Sequence, residues 1–550
     1  MVNKLLLTAA AVLLTVHYTG TAWSASVLPN TVPELRALEE NRSAATDASV
    51  VAKTEKENKP LPSLEKFYLC KFKFSSPDVV DQAALSTLLA GYCEREVSFA
   101  ELQQAADSVT KYYHDKGHLV AVAYFPRQEI TAGIVEMKIL LGSIDSISID
   151  NQSRLRLPLA QTFLKGVQVG GKVHENSLVA ALNNLSDLPG ITAAGILEPG
   201  HNIGGTELTV VLKSGQPVEN IIYTDNYGGK YAGRYRYGMQ TIINEPFRNG
   251  DKFVVGGMLS NEAMKNYSFV YEAPLAASGS RLGISFGRTD YTLGDYFDLI
   301  GAVGTARTLG LYGSTPLINQ TGRKVNFIYG YDKRHLTDEL RLFGSSKQKS
   351  SDTFHWGLAG HDRTKHSYTG YSAVYYQGMM HMDNAEAQAD NKYSDIEGAF
   401  SKITTDINHI RRLGNVTDLH LNFHNQLTNR NLDGSEQFYL GGANGVRAYP
   451  QGEAGGDSGY QATAELRYAT SGPGLSLALF TDIGEVQVRK DGQLGDNHRK
   501  LAGWGLGIQY ARVNDFFLRV DYARKIDGEA YRSENEDSDG RLWFQAYKLF

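Results

Sequence analysis

Two-residue alternation of apolar and polar side chains runs through most of residues 217–550 and constrains the fold more than any other feature of the sequence. In one stretch Leu419, Leu421 and Phe423 alternate with polar residues, and a helical period is absent from the whole region. Successive side chains of a β-strand point to opposite faces. The pattern therefore predicts a long series of strands, each with one apolar face and one small or charged face.

A closed barrel explains these strands better than a soluble sandwich, because 334 residues of continuous meander are very long for a sandwich. The region also holds 42 of the 56 Gly and 25 of the 31 Tyr. Tyrosine is typical of the interfacial girdles of membrane barrels, and apolar-out, polar-in strands can span lipid only in a closed sheet. At roughly 21 residues per strand and connection, the prediction is a membrane β-barrel of about 16 antiparallel strands.

Composition excludes several other classes of protein. The mean hydropathy of −0.31 and the lack of long apolar runs after the N-terminal segment exclude a polytopic helical membrane protein. A formal charge of −5 argues against a nucleic-acid partner, and two cysteines are too few for a disulfide scaffold of 550 residues.

Residues 1–25 are predicted to be a secretory signal peptide. Lys4 precedes an apolar run, and Ala22-Trp23-Ser24 is an acceptable cleavage site. A permanent anchor is the alternative, but a run of about 12 apolar residues is too short to span a bilayer. Residues 26–62 are polar and contain four prolines, which indicates a linker or one short helix starting near Pro33.

Residues 66–142 and 143–216 are predicted to form two copies of one small α+β unit in tandem. Each has the order β-α-α-β-β, and about 75 residues can bury a modest core. Cys70 and Cys93 both fall in the first copy. In an oxidising compartment they are candidates for one disulfide, and two buried free thiols are the alternative.

The sequence contains no convincing catalytic or metal-binding motif. Ser458, in Gly456-Asp457-Ser458-Gly459, superficially resembles a protease nucleophile but lacks the sequence context of one. His420 and His424 lie on the polar face of a strand and are interpreted as wall residues rather than metal ligands. We therefore expect no enzymatic activity, no metal and no cofactor.

The informative segment is a glycine-rich run from Gly441 to Glu453 that contains Arg447 and does not alternate. It is predicted to be a long loop late in the barrel. About 30 residues later, Asp482 lies next to an apolar strand. An arginine on a loop inside the barrel and an acid on its inner wall would neutralise each other, so we expect Arg447 and Asp482 to pair.

The motifs around these two residues resemble those of two-partner secretion outer-membrane transporters, the TpsB family. Val446, Arg447, Ala448, Tyr449 and Pro450 resemble the family's lumenal loop motif, in which Ala448 replaces the usual glycine. Phe480, Asp482 and Gly484 resemble the barrel-wall motif that holds the arginine. If position 448 requires a positive φ, alanine would cost on the order of 1 kcal/mol there.

The tandem units resemble the two periplasmic POTRA domains of the same family, POTRA 1 (66–142) and POTRA 2 (143–216), which precede the barrel (217–550). The resemblance implies that residues near Pro33 to Arg42 form a plug helix. It also implies that the POTRA domains bind the client, at a sheet edge that the sequence leaves open, and the candidate residues for this role are Tyr113, Gly117, Val120, Val122, Tyr124 and Pro126.

The resemblance implies an outer-membrane translocator that recognises an unfolded partner exoprotein through its POTRA domains and exports it without ATP. The expected partners are an adhesin, cytolysin or similar exoprotein, outer-membrane lipid, and the barrel assembly machinery during biogenesis. Three alternatives remain: a barrel assembly factor, a passive porin and an exported enzyme. A barrel assembly factor usually carries more POTRA units.

Overall fold

The computed structural model describes two compact units, one ending at Gly215 and one beginning at Gln216. The described residues are 50–52, 66–75, 81–130, 132–202, 204–275, 278–492, 497–526, 530–534 and 537–550. The predicted signal peptide and plug helix lie outside them. Among the helices formed by these residues, none is both long and apolar enough to cross a bilayer.

The first module of the N-terminal unit contains two helices and five strands. They are β2 (Lys66–Leu69), β3 (Lys71–Phe74), α1 (Gln82–Leu89), β4 (Arg95–Ser98), α2 (Phe99–Asp115), β5 (Val122–Tyr124) and β6 (Ile134–Leu140). α2 begins where Ser98 and Glu101 form a capping box. The sheet order is β3-β6-β5, so β5 is an edge strand, and β2 pairs with β4. The first strand of the predicted order β-α-α-β-β is divided at Cys70 into β2 and β3, and β4 is an addition to that order.

The second module has the predicted order of one strand, two helices and two strands. Its elements are β7 (Ser143–Gln152), α3 (Leu157–Phe163), α4 (Glu175–Ser186), β8 (Ile191–Pro199) and β9 (Gly205–Ser214). A further strand, β1 (Val50–Ala52), pairs in parallel with β8 and gives the sheet order β1-β8-β9-β7. The segment predicted as linker or short helix therefore contains a strand.

The turn after α2 joins the two modules. Gly117, at φ +89°, directs its carbonyl oxygen to the backbone N–H of Glu175, 2.8 Å away, at the start of α4. Leu119 and Val120 then pack against the apolar core of the second module. A residue with a Cβ at position 117 would be strained at this φ and would meet the ring of His174 at 3.2 Å.

The C-terminal unit is a closed barrel of 16 strands, as predicted. In order they are β10 (Val218–Asp225), β11 (Arg236–Asn244), β12 (Lys252–Ser260), β13 (Lys265–Pro274), β14 (Arg281–Thr292), β15 (Ala302–Gln320), β16 (Arg323–Leu340), β17 (Ser345–Arg363), β18 (Ser367–Met382), β19 (Gly398–Arg412), β20 (Thr417–Thr428), β23 (Ser458–Ala469), β24 (Leu475–Gln487), β25 (His498–Arg512), β26 (Phe516–Lys525) and β27 (Gly540–Leu549). β27 pairs with β10 in antiparallel register, with Leu549 opposite Ile221.

The alternation predicted from the sequence separates the two faces of the wall. On β25, Trp504, Leu506 and Ile508 point outward and are about half exposed, whereas the glycines between them face inward. Buried polar residues occupy the inner face of many strands. Two short elements in one loop, β21 (Phe438–Tyr439) and β22 (Gly455–Gly456), form a ribbon. A helix that was not predicted, α5 (Ala385–Ser394), lies in the connection from β18 to β19.

Candidate functional site

The candidate site is built on the lumenal loop, residues 429–457, which connects β20 to β23. The two limbs of the loop pair through β21 and β22, and Gly441 N–H donates to the carbonyl of Glu453 at 2.9 Å. At the tip, Val446 N–H donates to the carbonyl of Leu440 at 2.7 Å. Gly442 takes a φ of +136°, a conformation that L side chains rarely adopt. The glycine-rich sequence therefore permits a tightly folded tip.

The tip places Arg447 against the inner wall, where its guanidinium contacts three carboxylates. Nε and Nη2 donate to the two carboxylate oxygens of Asp482, each at 2.9 Å, and the backbone N–H of Arg447 donates to Asp482 at 3.1 Å. Nη1 donates to Glu465 at 2.9 Å and to Asp521 at 3.1 Å. These acids come from β24, β23 and β26, so Arg447 ties the loop to three strands.

Two further arginines complete the tip cluster, which we define as Arg447, Glu465, Arg467, Asp482, Arg519 and Asp521. Arg467 donates to Glu465 at 2.5 Å, and Arg519 donates to both Glu465 and Asp521 at 2.8 Å. All six residues are buried. The cluster's three positive and three negative charges balance formally. Ionised groups are costly to bury unless they are paired with opposite charges, and this balance meets that condition.

The other two residues of the barrel-wall motif, Phe480 and Gly484, also contact the loop. The ring of Phe480 lies beneath the guanidinium of Arg447, 3.2 Å from its central carbon, a cation–π arrangement. Gly484 leaves room for Leu440, because a Cβ at position 484 would lie 2.5 Å from a methyl carbon of Leu440. Trp543 on β27 donates its indole N–H to the carbonyl of Arg447 at 2.7 Å.

Ala448 does not have the positive φ that would make alanine costly in place of glycine. Its methyl group is buried and faces Gly503 on β25, where an added Cβ would approach it to 2.7 Å. Tyr449 is also buried, and its ring contacts Tyr531 edge-on with ring centroids 5.8 Å apart. The side chains of the loop motif thus pack against the barrel.

Sequence reasoning singled out Arg447 and Asp482 but missed the other four members of the tip cluster. Asp521 bonds Arg447 from a strand 74 residues further along the chain, and such a link leaves no local signal in the sequence. Charged residues at inward positions of neighbouring strands were the available clue.

The structure divides the predicted client-binding residues of the first module. Tyr113 is buried in the core, and Gly117 and Val120 lie at the contact with the second module, so these three do not form an open surface. The end of α2 packs inward, and client binding by these residues stays a prediction. Val122 is half exposed, and Tyr124 and Pro126 are partly exposed, on or just after the edge strand β5.

Cys70 and Cys93 are free thiols in the structure and lie at the adjoining ends of β2 and β4. Burial raises the pKa of the Cys93 thiol, whereas Cys70 is exposed. A disulfide between them stays a prediction.

The remaining motif residues lie on strands of the barrel wall. Ser458 begins β23 and accepts a hydrogen bond from Thr428 N–H at 3.1 Å. His420 is a buried residue of β20, and His424 pairs with Asp406. No group of three metal-ligating side chains occurs within the described parts of the chain.

Two family models match the sequence. Haemolysin secretion/activation protein ShlB/FhaC/HecB matches residues 204–510, and the ShlB-type POTRA domain matches residues 67–142. Heme/hemopexin transporter protein HuxB of Haemophilus influenzae is 24% identical over 477 residues, 85% of this chain and 84% of that protein. Outer membrane transporter CdiB of Dickeya dadantii is 20% identical over 476 residues, 82% and 83% of the two chains.

Solved structures show the same fold. CdiB from Escherichia coli superposes with a TM-score of 0.70 at 17% identity and covers 94% of this chain and 96% of its own. BamA from Haemophilus ducreyi lacking POTRA domains 1–3 gives 0.54 at 13% identity, covering 88% and 100%.

The first family model covers more than half of the chain, and the barrel and POTRA modules agree with it. The protein is an outer-membrane translocator of partner exoproteins, with its POTRA modules in the periplasm. The chain therefore belongs to the haemolysin secretion/activation family ShlB/FhaC/HecB, the transporters of two-partner secretion.

Proposed function

We propose that the protein exports one unfolded exoprotein through its barrel without ATP and that the tip cluster holds the lumenal loop in the resting position. The observation that carries the proposal is the buried contact of Arg447 with Asp482, Glu465 and Asp521. A client passing through the lumen would have to displace a loop fixed in this way. The cluster would then act as a catch, by which we mean a contact that opens and closes reversibly during export, and not as a catalytic site.

The charges of the tip cluster give this proposal its test. Removing one member of a buried ion pair leaves an uncompensated charge and costs about 3–5 kcal/mol. We expect Arg447→Ala and Asp482→Ala each to reduce secretion, and the exchange of the two charges to restore little of it, because an acid at position 447 would face Glu465 and Asp521. Arg281→Ala is the matched control, because Arg281 pairs with Glu272 on the wall and its described contacts do not include the loop. Full export by both single variants would contradict the proposal.

We further propose that the β8 edge of the second module receives an extended segment of the client. Support comes from β1, a segment of this chain that already pairs there in parallel, with Val51 opposite Ile196. Main-chain hydrogen bonds at a sheet edge are a general way of binding an extended peptide with little dependence on its sequence. A client strand would compete with β1 for the edge.

Competition predicts the effect of changing β1. Replacing residues 50–52 with Gly-Ser-Gly should tighten binding of the client's N-terminal secretion domain to the full chain, as measured by fluorescence anisotropy. The same replacement at residues 56–58 is the control. Unchanged affinity in the first variant would place client binding elsewhere, and the edge strand β5 with Val122 and Tyr124 is the next candidate.

The absence of catalysis and nucleotide use is also part of the proposal. Proteoliposomes that contain only this protein should accumulate protease-protected client without added nucleotide. Dependence on a nucleotide would contradict the proposal. The proposal has three further parts. Residues 1–25 are the signal peptide, and outer-membrane lipid surrounds the barrel. The barrel assembly machinery is a partner during biogenesis.

A further inference from the structure

A second buried cluster holds the lumenal loop near its start. Glu436 lies on the first limb of the loop, and its carboxylate binds Arg334 of β16 at 2.7 Å and Lys402 of β19 at 2.8 Å. All three residues are less than a tenth exposed. The acid thus bridges two strands of the wall that are not neighbours in the barrel.

The same cations also bind the main chain of the loop. Arg334 donates to the carbonyl of Ser435 at 3.2 Å, and Lys402 donates to the carbonyl of Glu436 at 3.0 Å. Gln426 donates to that carbonyl as well, at 2.9 Å. The backbone of the loop is therefore fixed at residues 435 and 436, in addition to the side-chain ion pairs.

A further acid of the loop extends the contact along the wall. Asp433 binds Lys349 of β17 at 2.6 Å, and Lys349 lies 3.7 Å from Asp338 of β16. Tyr291 of β14 donates its hydroxyl to Asp338 at 2.5 Å. We call this set the root cluster; its members are Tyr291, Arg334, Asp338, Lys349, Lys402, Asp433 and Glu436. Its three cations and three anions balance formally.

The root cluster and the tip cluster have no residue in common and use different strands. The root is held by β14, β16, β17 and β19, whereas the tip is held by β23, β24 and β26. Arg447 lies eleven positions after Glu436, a stretch of chain that spans at most about 36–40 Å when extended. The tip could therefore travel far from the wall while the root remains in place.

We infer that the root cluster is a stationary pivot of the lumenal loop and that Glu436 is the residue that positions it. In this view the tip cluster opens for the client, and the root cluster stays intact through export and returns the tip to its place. The inference goes beyond the role proposed for Arg447, because it assigns opposite behaviour to two ion clusters of similar chemistry.

A covalent link in place of each contact distinguishes a pivot, which stays closed during export, from a second catch, which must open. In a Cys70→Ser, Cys93→Ser background, Glu436→Cys with Lys402→Cys would be joined by a short bis-maleimide in purified protein, which is then reconstituted in proteoliposomes. Arg447→Cys with Asp482→Cys joins the tip in the same way. Glu272→Cys with Arg281→Cys is the matched control, since this ion pair of the wall has no described contact with the loop.

The pivot model makes a different prediction for each pair. Without the linker, the root pair should export at least about tenfold less client, because the buried guanidinium of Arg334 loses its partner Glu436 and the loop loses its contact with position 402. The linker should restore client export by the root pair and abolish client export by the tip pair. It should leave client export by the control pair unchanged. Heat-modifiable migration on gels checks that each barrel is folded.

Two results would overturn the inference. Loss of export on joining the root would show that the root must also release, so that it is a second catch. Wild-type export by the unjoined root pair would show that the contact positions nothing. Glu436→Gln provides a milder variant: we expect larger conductance fluctuations in planar bilayers than for Glu272→Gln, and equal fluctuations would count against the pivot.

Discussion

At the scale of single residues, the contact between Ala448 and Gly503 shows how a departure from a family motif is accommodated. Whether alanine is strained at this position depends on φ, which the sequence does not reveal. Ala448 avoids positive φ and packs its methyl against a glycine of β25. The glycine that this packing requires lies on the wall, 55 residues away, rather than in the loop motif.

We expect Ala448→Gly to lower stability modestly and to leave export near the wild-type level. Loss of one buried methyl and the greater freedom of glycine together cost about 1–2 kcal/mol. Gly503→Ala should be worse in both respects, because its Cβ would lie 2.7 Å from the Ala448 methyl. Heat-modifiable gel migration and secretion assays measure the two effects. Restored export in the double variant Ala448→Gly, Gly503→Ala would support direct packing, whereas additive losses would contradict it.

Glu453 is another residue whose importance no local pattern indicated. Its carboxylate is fully buried and accepts from Arg499 at 2.5 Å, from the backbone N–H groups of Arg532 and Ser533, and from the Ser533 hydroxyl. The second limb of the lumenal loop is thereby tied to residues 532 and 533, which connect β26 to β27. Partners that distant in sequence can be found only from the fold.

We expect Glu453→Gln to release the segment around Ser533. Hydrogen bonds to a charged group contribute about 1.5–3 kcal/mol, and the amide can replace only part of them. Limited proteolysis of the reconstituted protein should cut near Arg532 at least about tenfold faster than in the wild type. Glu534→Gln is the control in the same segment, since Glu534 pairs with Arg234 and Arg541 instead of the loop. Equal cutting rates in the two variants would refute the role of Glu453.

At the scale of elements, two-residue alternation predicted the barrel strands well because one face of each meets lipid and the other meets polar groups. The short strands of the POTRA modules were less accessible to this reasoning. β4 has only four residues and directly precedes a helix, and β1 depends on an edge supplied by β8 about 145 residues later. Tertiary pairing decides these strands, and their own sequences carry little signal.

The seam between the first and last barrel strands depends on a side chain as well as the ladder. Five residue pairs join β10 to β27, from Ile221–Leu549 to Asp225–Gln545. Beyond them Asn226 continues the pairing, because its amide donates to the carbonyl of Leu542 at 2.9 Å and accepts from Phe544 N–H at 2.8 Å. One asparagine thus replaces a pair of backbone groups.

We expect Asn226→Ala to loosen the seam without disturbing the tip cluster. The two lost hydrogen bonds leave the carbonyl of Leu542 and the N–H of Phe544 without the Asn226 side chain, and each loss costs about 1–3 kcal/mol where water does not replace the amide. Hydrogen exchange at residues 542–546 should accelerate, and the temperature of heat-modifiable unfolding should fall. Thr241→Ala is the control, because it removes a side-chain bond between β10 and β11 instead. Equal exchange at residues 542–546 in both variants would show that the backbone ladder alone closes the barrel.

At the scale of the whole molecule, the number of strands followed from length, alternation and the requirement that a sheet in lipid be closed. The site followed only in part. A motif identified Arg447 and Asp482, but the root cluster joins four strands to a loop that carries no motif at Asp433 or Glu436. Barrel closure brings these residues together, so the loop sequence alone does not identify the root cluster.

Two obstacles to free passage are expected in the lumen of the resting protein. One is the lumenal loop, and the other is the plug helix predicted near Pro33 to Arg42, outside the described residues. Replacing residues 33–42 with a glycine-serine segment of equal length should raise the conductance of the full-length protein in planar bilayers. The rise should be limited, because the loop remains fixed by three buried ion pairs at its tip.

Combining that replacement with Arg447→Ala should raise conductance by more than the sum of the two separate increases, because each obstacle limits the current while the other is absent. The same glycine-serine replacement at residues 54–63 is the control for length and composition. Strictly additive increases would mean that the two segments obstruct separate paths. An unchanged conductance after replacement of residues 33–42 would mean that this segment is not a plug, and the loop alone would then account for closure.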